Sequence, residues 1–130
     1  MKPLDYLEKN SIIPAIITLL IAISIFYVSS QQFAPMQNPQ ANNLRAISYH
    51  FGIFFLLSFF FSISIVKEKR IKILPAATII GVLYGISDEI HQLFVPGRYF
   101  SLQDILINSI GVILASTLYL YTINYRNGRK

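Results

Sequence analysis

The residues best equipped for chemistry are gathered in one stretch, Ser87 to Asn108, which reads SDEIHQLFVPGRYFSLQDILIN. It holds three of the six acidic residues, Asp88, Glu89 and Asp104, and one of the two histidines, His91. Carboxylates beside an imidazole can move protons: His91 or Glu89 would serve as general base, with Asp88 orienting the imidazole. A guanidinium such as that of Arg98 can hold a phosphate or a carboxylate through two parallel N–H donors. On a helix residues 88 and 91 share a face while 89 turns away, which makes Asp88 and His91 the better pair. The same groups would serve equally well to recognise a ligand without transforming it.

Their setting makes them conspicuous. Of the 130 residues, 54% are hydrophobic and only 13% charged, against about 25% charged in an ordinary soluble domain. Apolar runs at Ile12–Ser29, Ile47–Val66, Ile73–Ser87 and Ile105–Tyr125 approach the about 20 residues that a membrane span needs. The pattern predicts an all-α membrane protein, a four-helix bundle with spans at about 12–30, 47–66, 73–95 and 104–125, forming a single domain over residues 1–130. A charge at bilayer depth costs at least ~2.5–3.5 kcal/mol, so the acids of the third and fourth spans require a reason. Cysteine is absent, which excludes disulfide and thiol chemistry.

The cations give the orientation. Lys2 and Lys9 precede the first span, Lys67, Lys69, Arg70 and Lys72 join the second to the third, and Arg126, Arg129 and Lys130 follow the fourth. Arg45 and Arg98 alone occupy the other two connections, so the positive-inside rule predicts cytoplasmic termini and an outward-facing SDEIHQ segment. Spread over helix ends in this way, the +5 net charge does not form a nucleic-acid surface. Ile12–Ser30 also has some features of a cleaved signal peptide, but its apolar run exceeds the usual ~7–15 residues.

Helical periodicity sets the polar groups on shared faces. Gly81, Gly85, Asp88 and Gln92 line one face of the third span, and Asp104, Asn108, Gly111 and Ala115 line one face of the fourth. Laid antiparallel, Gln92 meets Asp104, Asp88 meets Asn108, and the glycines meet below, letting the backbones approach. Pro96-Gly97 marks a tight turn, and Ser101 with Asp104 three residues on matches a helix-start capping pattern. Asp104 then either caps the helix or forms a buried pair with Arg98. Ser29, Ser30 and Gln31 end the first span and Ser48, Tyr49 and His50 begin the second, on the same outer side. The expected arrangement is a polar pocket open to that side. The Phe-rich run FGIFFLLSFFFSI reads as lipid-facing and packing surface, and Asp5, Glu8 and Glu68 as solvated charge. A divalent metal on Asp88, Glu89, His91 and His50 lacks the spacing of known zinc motifs, so no metal and no cofactor is expected.

The stretch SDEIHQLFVPGRYFSLQDILINSIGVILA resembles the signature of VanZ-like membrane proteins, with IFYVSSQQF at Ile25–Phe33 and ISYHFGIFFLLS at Ile47–Ser58 resembling that family's earlier blocks. Ser87, Asp88, Glu89, His91, Gln92, Phe94, Pro96, Gly97, Arg98, Ser101, Asp104, Asn108 and Gly111 match the pattern; a lysine often found before His50 has only Arg45 as its nearest counterpart. The resemblance implies a bacterial or archaeal cell-membrane protein, the founding member being linked to resistance against the glycopeptide teicoplanin. Three readings of the residues stand beside it. The chain would bind an outer-leaflet lipid, a cell-wall precursor or a lipophilic glycopeptide through Gln92, Arg98, Asp104, Asn108, Ser29, Ser30, Gln31 and His50. Alternatively, it would modify an envelope lipid headgroup by acid–base chemistry on Asp88, Glu89 and His91. As a third reading it would be a small proton-coupled carrier, against which stand the apolar lower halves of the third and fourth spans.

Overall fold

The computed structural model describes residues 3–32, 39–66 and 68–128. Lys2, Lys67, Arg129 and Lys130, on which part of the orientation argument rests, lie outside them. The described chain is helical: α1 (Pro3–Lys9), α2 (Ile12–Ser29), α3 (Pro39–Ile65), a 3-10 segment (Glu68–Ile73), α4 (Leu74–Gln92) and α5 (Leu102–Asn127). Four of these helices are long and apolar enough to cross a membrane, so the chain is a multi-pass membrane protein. The expected four spans are all present. Three features differ: α3 begins at Pro39, eight positions before the apolar run, α4 ends at Gln92 rather than near residue 95, and α1 precedes the first span. Both additions are polar segments, invisible to a search for apolar runs.

α3 is the hub and packs against α2, α4 and α5, while α4 also packs on α5 and α2. One apolar core, Ile63, Val66, Leu74, Ala77, Tyr119 and Ile123, lies near the chain ends, with Leu4 and Leu7 of α1 packed against it. A second, Ile25, Phe54, Leu57 and Val112, fills the bundle toward the other end. The outward faces of α2, α4 and α5 carry exposed Leu and Ile, as lipid contact requires. The Phe-rich run divides in two: Phe54 is fully buried and Phe60 packs against the first core, while Phe51 and Leu56 are exposed.

The expected glycine seam is half right. A Cβ on Gly81 would lie 3.0 Å from Val112 Cγ1 and one on Gly85 3.1 Å from Asn108 Cβ, so these glycines do admit α5 against α4. Gly111 serves a different interface, because a Cβ there would lie 2.6 Å from the carbonyl oxygen of Phe51 on α3. Periodicity identifies a face but not the helix opposite it, and here Val112 rather than Gly111 turns to α4. The lower half of the bundle is also less apolar than expected. Thr78 donates to Ser116 Oγ at 2.8 Å, and the Ser58 hydroxyl lies 3.4 Å from the same oxygen, so hydroxyls bridge α3, α4 and α5.

α1 brings a further correction. Asp5 and Glu8 are paired rather than simply solvated, Asp5 staying partly exposed: Arg126 Nη1 donates to Asp5 at 2.7 Å, Arg126 Nη2 donates to both Glu8 oxygens at 2.9 Å, and the Tyr119 hydroxyl donates to Glu8 at 3.1 Å. These bonds hold the start of the chain against the end of α5, so both lie at the same end of the bundle.

Candidate functional site

At the opposite end the polar residues of α2, α3, α4 and α5 converge. α4 continues as helix through Gln92, carrying Asp88, Glu89 and Gln92 inward, and all three are buried. Beyond it Arg98 N donates to Val95 O at 3.0 Å, closing a turn with Pro96 second and Gly97 third. Gly97 has φ +82°, the positive value that this turn demands at its third position. The turn sends the chain back over Glu89 into α5.

The start of α5 then explains the behaviour of Glu89. Ser101 is its N-cap, and the Ser101 hydroxyl accepts from Asp104 N at 3.1 Å, as the capping pattern predicted. The reciprocal half of that motif would bring the Asp104 carboxylate to Ser101 N, but Ser101 N donates to Glu89 Oε2 at 3.1 Å instead. Glu89, expected to turn away, is thus wholly enclosed, because the returning hairpin covers the face it occupies and the unpaired N–H groups of a helix start attract its charge. Asp104 is released from capping, and its Oδ2 lies 3.9 Å from His50 Nε2.

Asp88 and His91, the favoured pair, part company. Ser29 Oγ donates to Asp88 Oδ1 at 2.5 Å, and Gln92 Nε2 donates to Asp88 Oδ2 at 3.3 Å. The Ser30 hydroxyl lies 3.0 Å from His91 Nε2, and the His91 ring stands 4.6 Å from that of Phe26. Successive residues on α2 therefore hold the two groups apart. Ser30 Oγ also lies 2.7 Å from Phe26 O, so that carbonyl and His91 Nε2 compete for its one hydroxyl hydrogen. Phe26 escaped the sequence reading, although its place four residues before Ser30 on one helix face is a usable signal.

Gln92 links the cluster. Its Nε2 also donates to Glu89 Oε1 at 3.2 Å, and its Oε1 accepts from Arg98 Nε at 3.2 Å and Nη2 at 2.6 Å. The expected meetings of Gln92 with Asp104 and of Asp88 with Asn108 give way to contacts across α3: His50 Nδ1 lies 3.0 Å from Asn108 Oδ1. Gln31 stays outside, its Nε2 donating to Tyr27 O on its own helix. Ser29, by contrast, is buried at the cluster. Asp88, Glu89, Gln92 and Asn108 form a closed interior, and His91, Arg98 and Asp104 form a half-buried rim.

A family model described as VanZ/LLP1 matches residues 14–124, a range that includes every residue of this cluster. Searches of curated proteins and of solved structures found no match.

Proposed function

The chain belongs to the VanZ/LLP1 family, and from that premise we propose that it acts at the outer face of the cytoplasmic membrane, binding the polar part of an outer-leaflet lipid, a cell-wall precursor or a lipophilic glycopeptide. The observation that carries this reading is the burial of Asp88, Glu89, His50 and Asn108 among four apolar helices. A bundle that needed only stability would do as well with apolar groups there, because buried ions contribute little net stability. Intramembrane ionisable residues that persist point to function. Arg98, His91 and Asp104 on the rim are the groups a headgroup meets first, and the guanidinium supplies the planar fork for phosphate or carboxylate. Positive-inside orientation supports an outward rim. A binding role is favoured over an acid–base enzyme because Asp88 and His91 bond to separate serines and do not form the carboxylate–imidazole pair that such chemistry would use.

The test combines topology with phenotype. Cysteines placed singly at Gln40 and Lys69 should be labelled by an impermeant thiol reagent in intact cells at the first position only; the reverse pattern would put the rim in the cytoplasm. His91→Ala, Asp88→Asn and Arg98→Lys should each remove an envelope phenotype, including altered teicoplanin sensitivity, while membrane abundance stays near wild type. Normal abundance with an intact phenotype would exclude the cluster as the functional site.

A further inference from the structure

We propose that His50, Asp88 and Glu89 form a binding site for one first-row divalent cation, Mn2+ or Zn2+. The three residues lie 38 and 39 positions apart in sequence, on α3 and α4, and show no metal-binding spacing. The fold nevertheless brings one ring nitrogen of His50 and one oxygen from each carboxylate within 4.8 Å of one another, all three side chains being buried. Ligand atoms that share a tetrahedral ion through bonds of ~2.1 Å stand ~3.4 Å apart. An ion would therefore draw the widest pair in by up to about 1.4 Å, within the reach of side-chain rotation.

Three further observations favour a cation. His50 Nδ1 lies 3.0 Å from Asn108 Oδ1 and Nε2 lies 3.9 Å from Asp104 Oδ2, so the ring is held at both edges beside the carboxylates. An imidazole held at one nitrogen by an amide or a carboxylate has the usual outer support of a metal-ligating histidine. Second, Asn108 is 1% exposed, its carboxamide reaches far enough to touch His50, and its Nδ2 has no partner. Whichever way the amide is turned, one buried polar atom remains for a guest or for a water that the guest carries. Third, the cluster sets the three carboxylates Asp88, Glu89 and Asp104 against the one guanidinium of Arg98, an excess that one divalent ion neutralises. A single amide nitrogen, Gln92 Nε2, is meanwhile shared between Asp88 and Glu89. One imidazole with carboxylates and no thiol suits Mn2+ or Zn2+ and disfavours soft metals.

The proposal rests on the reading of this cluster as a binding site, but not on the identity of its larger ligand, since the metal is measured alone. The full chain, purified in detergent, stripped with chelator and then equilibrated with MnCl2 or ZnCl2, should retain about one ion per chain after desalting, read by inductively coupled plasma mass spectrometry. His50→Ala and Glu89→Gln should each weaken retention at least tenfold, whereas Glu8→Gln at the far end should not. Metal should also raise the thermal midpoint of the wild-type chain and chelator should reverse the rise, a readout that needs no variant to fold. Retention no greater than in the His50→Ala, Glu89→Gln double variant would overturn the site, as would retention that both single changes leave intact. A bound metal in a protein whose Arg98→Lys phenotype is unchanged would sustain the metal site and defeat the proposed function; a lost phenotype with no bound metal would do the opposite.

Discussion

At the terminal end of the bundle Arg126 meets Asp5 and Glu8 through direct bonds of 2.7 to 2.9 Å, whereas at the hairpin end Asp88, Glu89 and Asp104 turn to a hydroxyl, an amide, a backbone N–H and an imidazole. Both clusters tie elements remote in sequence. In the first, a guanidinium engages each carboxylate directly and a tyrosine completes the network. In the second, the described bonds to Asp88 and Glu89 come from neutral donors, with Arg98 reaching the cluster through Gln92. The first arrangement serves to close a fold, and the second is the one on which the proposed binding role rests.

The contrast can be broken most severely between the two ends, where α3 and α5 touch backbone to backbone. Gly111→Leu should eliminate recovery of folded protein in detergent, because the Phe51 carbonyl 2.6 Å from its Cβ position cannot yield as a side chain can. Overpacking of ordinary cores costs about 1–3 kcal/mol, and this clash should exceed that range. Leu83→Ala, on an exposed face, should have no comparable effect. Equal recovery of both variants would show that the α3–α5 approach is wrongly placed.

The next largest effect compares the arginines. Arg126→Ala strands Glu8 and Asp5 and should lower unfolding stability in detergent by about 2–3 kcal/mol, below the ~3–5 kcal/mol of a fully buried pair because Asp5 is partly exposed. Arg98→Ala removes two bonds to Gln92 and should cost less than Arg126→Ala, about 1–2 kcal/mol. A reversed order would mean that the hairpin cluster is the structural one. Ser101→Ala should then cost about 1 kcal/mol as a lost N-cap; no change would show that Glu89 holds the start of α5 alone. The smallest effect is expected from Glu89→Gln, which keeps an acceptor for Ser101 N and removes one of three negative charges. Stability should stay within about 0.5 kcal/mol of wild type or rise. A loss of several kcal/mol would place Glu89 with Arg126 as a structural pin.

The spans, the Pro96-Gly97 turn and the Ser101 cap were legible because each is a local property: an apolar run, a φ preference, a hydroxyl three residues before an N–H. The membership of the polar cluster was legible too, apart from Gln31, because polar residues at four helix ends have few places to go in lipid. Who meets whom was not. Helical spacing put Glu89 outside, and only the returning hairpin encloses it. The same spacing placed Gly111 on the right face and against the wrong helix. Asp5 and Glu8 looked solvated because their partner Arg126 lies more than a hundred residues away in sequence.

The bond from Ser101 N to Glu89 Oε2 makes the cluster and the first turn of α5 compete for one carboxylate. An ion bound at the proposed site through Glu89 Oε2 would compete with that turn, whereas one bound through Oε1 would leave it intact. In the first case, by reciprocity, a shift in how α5 begins would alter the hold on the ion by the same factor. α5 has 26 residues, a rod of ~39 Å, and its last turn is bonded to α1. One continuous helix thus joins the proposed site at one end of the bundle to the chain ends at the other.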